Sequence, residues 1–129
     1  MTPLPLDHLT ILSRDAEAAH RFYALLLPEL GFTAVKPGIW KSATGLYVQF
    51  KTAKPDTRDY ERHGPGLNHL GFTAPDAAFV ARLAETMTAG GFEARLQHFA
   101  DGTTAVFLPD PDGLRVEVSH YPPGQPPVD

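Results

Sequence analysis

The sequence predicts an α+β fold of two tandem βαβββ modules, and two internal matches lead to this prediction. The segment LDHLTILSRDAEAA, from Leu6, aligns with LNHLGFTAPDAAFV, from Leu67, at an offset of 61. The segment GLYVQF, from Gly45, aligns with GLRVEV, from Gly113, at an offset of 68. Because both halves keep the same order of segments, the chain is predicted to be two copies of one supersecondary unit.

The first copy predicts one strand, one helix and three further strands. Residues 6–12 alternate between apolar and polar side chains, which is typical of a half-buried strand. Asp15 is the predicted N-cap of a helix over 16–27, where apolar residues recur with helical spacing. This helix is expected to stop near Gly31. Short apolar runs separated by Pro and Gly then predict strands at 32–35, 39–42 and 46–50.

The second copy repeats this order after a polar joining segment. It predicts a strand at 68–74, a helix at 76–88 and strands at 93–98, 104–108 and 114–120. We therefore expect a single domain over 1–129, with module one at about 5–51, a crossover at about 52–66, module two at about 67–121 and an extended Pro-rich tail at 122–129.

The composition limits what the protein does. The 129 residues include no cysteine, which excludes disulfides, thiolate metal sites and thiol nucleophiles. A net charge of -4 argues against nucleic acid and anionic membranes as partners, and favours a small-molecule substrate. The longest apolar run, from Phe22 to Leu27, is far shorter than the roughly 20 residues of a membrane span. The first residues lack the basic and apolar parts of a secretory signal, so we expect a cytoplasmic protein.

Four polar residues occupy repeated positions on the predicted strands: His8, Gln49, His69 and Glu117. Strand alternation places them all on the face turned away from the helices. Polar residues are ordinary on the wet face of an antiparallel sheet, which is the alternative interpretation. Two imidazoles and one carboxylate, however, are the ligand set of an open site for iron, zinc, nickel, manganese or cobalt, and Gln49 adds a neutral oxygen donor.

The motifs LDHLTIL, GLYVQF, LNHLGF and DPDGLRVEV resemble those of the vicinal oxygen chelate superfamily, which includes glyoxalase I, extradiol dioxygenases and bleomycin-resistance proteins. The most specific of them is DPDGLRVEV, because the family's last strand follows a DPDG turn and holds a metal-binding Glu. The resemblance implies an eight-strand, U-shaped open barrel around a divalent metal. By position, His8, His69 and Glu117 match the family's ligands, and Gln49 occupies the more variable fourth position.

The resemblance also implies that a substrate with adjacent oxygens chelates the metal at its open positions. Glu117 is then a candidate catalytic proton carrier. Tyr47 and Arg115 lie two positions before Gln49 and Glu117 on the same strand face, so they are candidate substrate-binding residues, with Arg115 suited to an anion. Trp40 and Phe107, on the corresponding third strands, are candidate walls of the pocket.

Several subfamilies stay open. The ligand set resembles that of the methylmalonyl-CoA epimerase, but residues 32–45 contain no Asp or Glu to match its additional carboxylate. Glyoxalase I is similar in size and module order, yet it has a Glu at the fourth position and this chain shows no basic cluster for glutathione. The thiol transferases share the three ligands, but residues 97–108 lack their pattern of potassium and phosphonate contacts. Most extradiol dioxygenases are about twice as long, although small single-domain forms fit.

Two classes of function follow from these features. The leading hypothesis is a metal-dependent enzyme with lyase or isomerase chemistry, slightly ahead of oxygenase chemistry, acting on a small oxygen-rich or carbonyl compound. The alternative is a metal-free binding protein that sequesters a small molecule, as bleomycin-resistance proteins do. In either case, exposed strand edges favour a homodimer.

Overall fold

The computed structural model describes residues 1–127 and divides the chain into two compact units. The first unit is Met1–Arg58, and the second begins at Asp59. The boundary lies in the polar segment that joins the two repeated halves. The last two residues of the predicted tail lie outside the described residues, and the tail before them contains a turn in which Gln125 N–H donates to the Pro122 carbonyl at 3.0 Å.

The first unit is a four-stranded sheet with one helix. Its elements are β1 (His8–Ser13), α1 (Ala16–Glu29), β2 (Phe32–Lys36), β3 (Ile39–Ser42) and β4 (Tyr47–Thr52). The strand order is β1-β4-β3-β2. β1 runs parallel to β4, and the other neighbouring strands are antiparallel.

The second unit repeats this topology. Its elements are β5 (His69–Thr73), α2 (Ala77–Ala89), β6 (Arg95–His98), β7 (Thr104–Pro109) and β8 (Arg115–His120). The strand order is β5-β8-β7-β6, with β5 parallel to β8. The predicted α+β class with two βαβββ modules is confirmed. Neither sheet is purely antiparallel, because the first and last strands of each module pair in parallel.

Both helices begin where the sequence predicts a cap. The Asp15 carboxylate accepts hydrogen bonds from the backbone N–H groups of Glu17 and Ala18, at 3.0 and 3.1 Å. The Asp76 carboxylate accepts one from the Phe79 N–H at 2.7 Å. Each side chain satisfies helix N–H groups that have no partner within the helix, which fixes where the helix begins.

The apolar faces of the sheets are buried. In the first unit, Phe22 and Leu26 of α1 and Val48 of β4 are at most 2% exposed. In the second unit the largest fully buried apolar side chains come from α2, β7 and β8, and they are Val80, Met87, Val106, Leu108, Val116 and Val118. Because strand residues alternate in direction, burial of Val116 and Val118 turns Arg115, Glu117 and Ser119 toward the other face. No helix among the described residues is long and apolar enough to span a bilayer.

Candidate metal centre

His69 and Glu117 come together on the second sheet. In the parallel pair β5 and β8, His69 lies opposite Arg115, and Gly71 lies opposite Glu117. The His69 Nε2 atom is 3.8 Å from the Glu117 Oε1 atom, and the two side chains are 22% and 6% exposed. A Cβ atom added at Gly71 would meet nothing within 4 Å. The space beside the Glu117 carboxylate is therefore open on the β5 side.

Two hydroxyl groups hold the Glu117 carboxylate. The Ser119 Oγ–H donates to Glu117 Oε2 at 2.9 Å, and the Tyr121 Oη–H donates to the same oxygen at 3.5 Å. Ser119 follows Glu117 on the same strand face and is 1% exposed. Since the hydroxyl groups bind Oε2, the other oxygen, Oε1, is the one directed at His69.

The imidazole of His69 is oriented by the residue before it. The Asn68 Nδ2–H donates to the Arg62 carbonyl at 2.9 Å, which turns Asn68 Oδ1 toward His69 Nδ1, 2.7 Å away. An amide oxygen can only accept, so His69 Nδ1 bears the proton of the neutral ring. In the neutral ring Nε2 then carries the lone pair, and this atom lies 3.8 Å from Glu117 Oε1. Two acceptor atoms face each other across a distance that a cation between them would shorten.

The first unit contains the matching pair. The Asp7 Oδ2 atom accepts a hydrogen bond from His8 Nδ1 at 2.7 Å, which leaves Nε2 as the nitrogen of this half-exposed ring that could bind a metal. The Gln49 Nε2–H donates to Thr10 Oγ1 at 2.7 Å, so its Oε1 is available as a donor to a metal. Thr10 lies opposite Gln49 in the β1–β4 register, as Gly71 lies opposite Glu117.

The candidate ligands therefore form one pair in each unit. Within either unit, the described residues contain no group of three or more His, Asp or Glu side chains placed to hold a metal ion. Sequence reasoning missed Asp7 and Asn68, which orient the two histidines. The signal was present, because an Asx residue precedes the His in both copies of the repeat, LDH and LNH.

Of the candidate substrate residues in the first unit, Tyr47 lies beside the ligands and Trp40 does not. Tyr47 is directly opposite His8 in the β1–β4 register, and Lys41 Nζ lies 5.2 Å from the centre of its ring. Trp40 pairs with Val48, which points away from Gln49. It lines a separate cavity of about 260 Å³ on the helix side, together with Tyr23 and Phe50.

Arg115 lines a second cavity, of about 250 Å³, on the face of the second sheet that bears Glu117. Phe107 and Tyr121 line the same cavity. Trp40 and Phe107 lie on the corresponding strands β3 and β7, as predicted, but on different faces, since Phe107 lies opposite Glu117 whereas Ile39, not Trp40, lies opposite Gln49. Arg95, which sequence reasoning also missed, lies opposite Phe107 on β6 and completes this wall.

The DPDG turn sets the start of the strand that bears Glu117. The buried Asp110 carboxylate accepts hydrogen bonds from the N–H groups of Asp112 and Leu114, both at 2.9 Å. Gly113 adopts a φ of 94°, a conformation that glycine reaches without strain. The turn thereby fixes the β7–β8 register that places Phe107 opposite Glu117.

Comparison with known proteins identifies the family. Residues 5–118 match the model of the Glyoxalase/Bleomycin resistance protein/Dioxygenase superfamily, and the chain belongs to this superfamily. It is 36% identical over 123 residues to the uncharacterized protein YqjT of Bacillus subtilis (strain 168), covering 88% of this chain and 96% of that protein.

Solved structures show the same fold. A Bacillus halodurans protein, provisionally called a glyoxalase, has a TM-score of 0.77 at 28% identity, covering 89% of this chain and 94% of its own. Lactoylglutathione lyase from Agrobacterium tumefaciens has a TM-score of 0.66 at 20% identity, covering 93% and 96%. At that identity, the similarity to the lyase concerns the fold alone.

Proposed function

We propose that this chain is a metal-dependent enzyme that chelates a small oxygen-rich or carbonyl substrate on a divalent ion. The observation that supports this most is the pair of acceptor atoms in the second unit, His69 Nε2 and Glu117 Oε1, which face each other at 3.8 Å among largely buried side chains. Metal–nitrogen and metal–oxygen bonds of about 2.0–2.2 Å at a tetrahedral angle place two ligand atoms roughly 3.4 Å apart, so a small movement of either side chain would accommodate an ion. The donor set therefore fits a metal.

His8, His69 and Glu117 would hold the ion, and the amide oxygen of Gln49 would be a fourth donor. Imidazole and carboxylate ligands suit iron, zinc, nickel, manganese or cobalt. When bound, such an ion supplies Lewis acidity toward the substrate's oxygens. Asp7 and Asn68 each accept the Nδ1 proton of the following histidine, and would thereby leave the two Nε2 atoms to bind an ion.

We assign the proton-transfer role to Glu117, with lyase or isomerase chemistry preferred over oxygenase chemistry. Glu117 is 5% exposed, and it lines the cavity in which a substrate would lie. The Ser119 hydroxyl holds Oε2 while Oε1 faces His69, so the carboxylate is fixed in place, and it would accept or return a proton in the state in which Oε1 is not bound to the ion. A single carboxylate can take a proton from one substrate carbon and return it to the adjacent carbon, which is the step that isomerase chemistry requires.

The first test is metal content by mass spectrometry, on untagged protein purified without chelators. We expect near-stoichiometric divalent metal in the wild-type protein and its loss in Glu117→Ala. Glu85→Ala, at an exposed carboxylate on α2, is the matched control and should keep the metal. A wild-type protein that neither contains nor takes up any of the five ions would overturn the proposal.

The second candidate function is metal-free binding of a small molecule, and the cavity beside Glu117 favours it. A volume of about 250 Å³ accommodates a small ligand whether or not a metal is present. His8→Ala distinguishes the two functions. In the enzyme it should abolish metal content, whereas in a binding protein it should leave ligand affinity nearly unchanged.

A further inference from the structure

The first unit has a cavity on the helix side of its sheet, the face opposite to that of Gln49. Its volume is about 260 Å³. The Tyr23 and Phe50 rings line it, and their centres are 4.4 Å apart. Cavities that bind small molecules are mostly apolar and contain a few placed polar groups. Two such groups line this cavity, the Trp40 indole and the Ser13 hydroxyl.

Both polar groups belong to buried residues, and both lack a partner. Trp40 is 8% exposed and Ser13 is 2% exposed. Within residues 1–127, neither the Trp40 Nε1–H nor the Ser13 Oγ–H has a hydrogen-bond partner, and neither atom is enclosed by protein. A buried indole N–H or hydroxyl usually has a partner, because the group has given up its bonds to water. A ligand in the cavity would supply the missing partners.

The register of the sheet places the two polar groups at different ends of the cavity. Trp40 lies opposite Val48 and Ser13 lies opposite Thr52, on the two sides of β4. Four positions on a strand correspond to about 13 Å, and Phe50 lies midway between them. The two groups would therefore bind different atoms of a ligand, with the aromatic wall between those atoms.

From this arrangement we infer that the cavity is a second binding site, for a small aromatic molecule with an oxygen atom at each end. The inference goes beyond the proposed function, since it concerns the other face of the sheet and needs no metal. The Trp40 N–H can only donate, so it would bind a carbonyl or hydroxyl oxygen. The Ser13 hydroxyl can donate or accept, so it would bind the oxygen-bearing group at the other end. The ring of the ligand would lie against Tyr23 and Phe50.

The charged residues at the cavity disfavour a cation as its occupant. Aromatic walls can bind an ammonium group through their faces. The described residues that line the cavity include His20 and Lys51 but no Asp or Glu, so no carboxylate would accompany such a group. The N–H and O–H donors of Trp40 and Ser13 match the lone pairs of ligand oxygens instead.

Nuclear magnetic resonance tests the inference, because Trp40 is the single tryptophan of the chain and gives the single indole N–H signal. The isotope-labelled protein is titrated with 4-hydroxyacetophenone, with 4-ethylphenol, which lacks the carbonyl oxygen, and with acetophenone, which lacks the hydroxyl. We expect 4-hydroxyacetophenone to shift the indole signal and to bind about tenfold more tightly than either partner, roughly the effect of one hydrogen bond. In an entirely apolar cavity the two partners would bind more tightly, because each has one polar group fewer to remove from water.

Each polar side chain has its own variant. Trp40→Phe keeps an aromatic wall without the N–H, and Ser13→Ala removes the hydroxyl. Measured by calorimetry, each variant should lose one of the two preferences by about fivefold or more, because each residue binds one end of the ligand. Thr88→Ala, at an exposed position on α2, is the control and should keep both preferences. A purely structural role would lower the melting temperature without changing the ratios of affinities.

The outcome is separable from that of the proposed function. Metal-depleted protein and Glu117→Ala should both bind 4-hydroxyacetophenone as tightly as the metal-loaded wild-type protein. Loss of binding in these two samples, an indole signal that does not move, or unchanged ratios in either cavity variant would overturn the inference. So would equal or tighter binding of the two partner compounds, or a shift of the Trp40 signal by phenyltrimethylammonium alone.

Discussion

At the scale of single residues, Asn68 decides which nitrogen of His69 is available to a metal. Its amide is fixed by the Arg62 carbonyl and accepts from His69 Nδ1 at 2.7 Å. Removing that acceptor in Asn68→Ala should lower metal affinity about 10- to 100-fold, the usual effect of losing a group that orients a histidine ligand. The measurement is competition with a chromophoric chelator.

The matched control is Asn68→Asp, in which a carboxylate still accepts the Nδ1 proton. We expect it to retain most of the metal affinity that Asn68→Ala loses. Equal affinities for the wild-type protein and Asn68→Ala would show that the ring is oriented by other contacts. Thermal melting of both variants establishes that the comparison is made on folded protein.

Residue chemistry in the repeat was sufficient to identify candidate ligands, but not the contacts that orient them. His8, Gln49, His69 and Glu117 stand out because they recur at matched positions. The hydrogen bond from Asn68 to the Arg62 carbonyl joins residues in an irregular segment, where no periodic pattern exists to be interpreted. Arg95 was missed for a related reason, since its importance arises from the cross-strand contact with Phe107.

At the scale of elements, the DPDG turn positions β8. Gly113 has a φ of 94°, and its Cβ would lie 3.8 Å from the Tyr60 ring, an ordinary contact. Gly113→Ala should therefore destabilise through its backbone alone, by about 1–2 kcal/mol. For a chain of this size we expect the melting temperature to fall by roughly 3–6 °C, as measured by circular dichroism.

Gly71→Ala is the matched control for this prediction. Gly71 lies on β5 without a positive φ, and an added Cβ meets nothing within 4 Å. Its melting temperature should stay close to that of the wild-type protein or rise slightly, because alanine limits the unfolded chain more than glycine does. If Gly113→Ala melts together with this control, the turn does not depend on the left-handed conformation.

Element positions were predictable because they depend on local patterns. The helix predicted at 16–27 is Ala16–Glu29, and the strand predicted at 39–42 is Ile39–Ser42. The register between strands depends on contacts between residues distant in the sequence, so it was harder to predict. Trp40 illustrates this limit. The position on β3 that corresponds to Phe107 on β7 is Ile39, and Trp40, one residue further along, points to the opposite face of its sheet.

At the scale of the whole molecule, the family follows from residues 5–118, whereas the assembly remains a prediction. Each sheet ends in outer strands, β1 and β2 in the first and β5 and β6 in the second. Outer strands with exposed apolar side chains favour association with a second copy, and a twofold axis is the commonest way to close such a contact. We therefore predict a homodimer.

Light scattering coupled to size exclusion should give 28.2 kDa, twice the chain mass of 14.1 kDa. The β1 edge has more exposed apolar surface than the β2 edge, since Leu12 on β1 and Leu6 just before it are 56% and 62% exposed, whereas Val35 on β2 is 49% exposed. A charge on the larger apolar surface costs more to bury, so Leu12→Asp should shift the mass toward 14.1 kDa at micromolar concentration while Val35→Asp should not. A wild-type mass of 14.1 kDa across the concentration range would exclude the dimer, and dissociation by Val35→Asp alone would move the contact to β2.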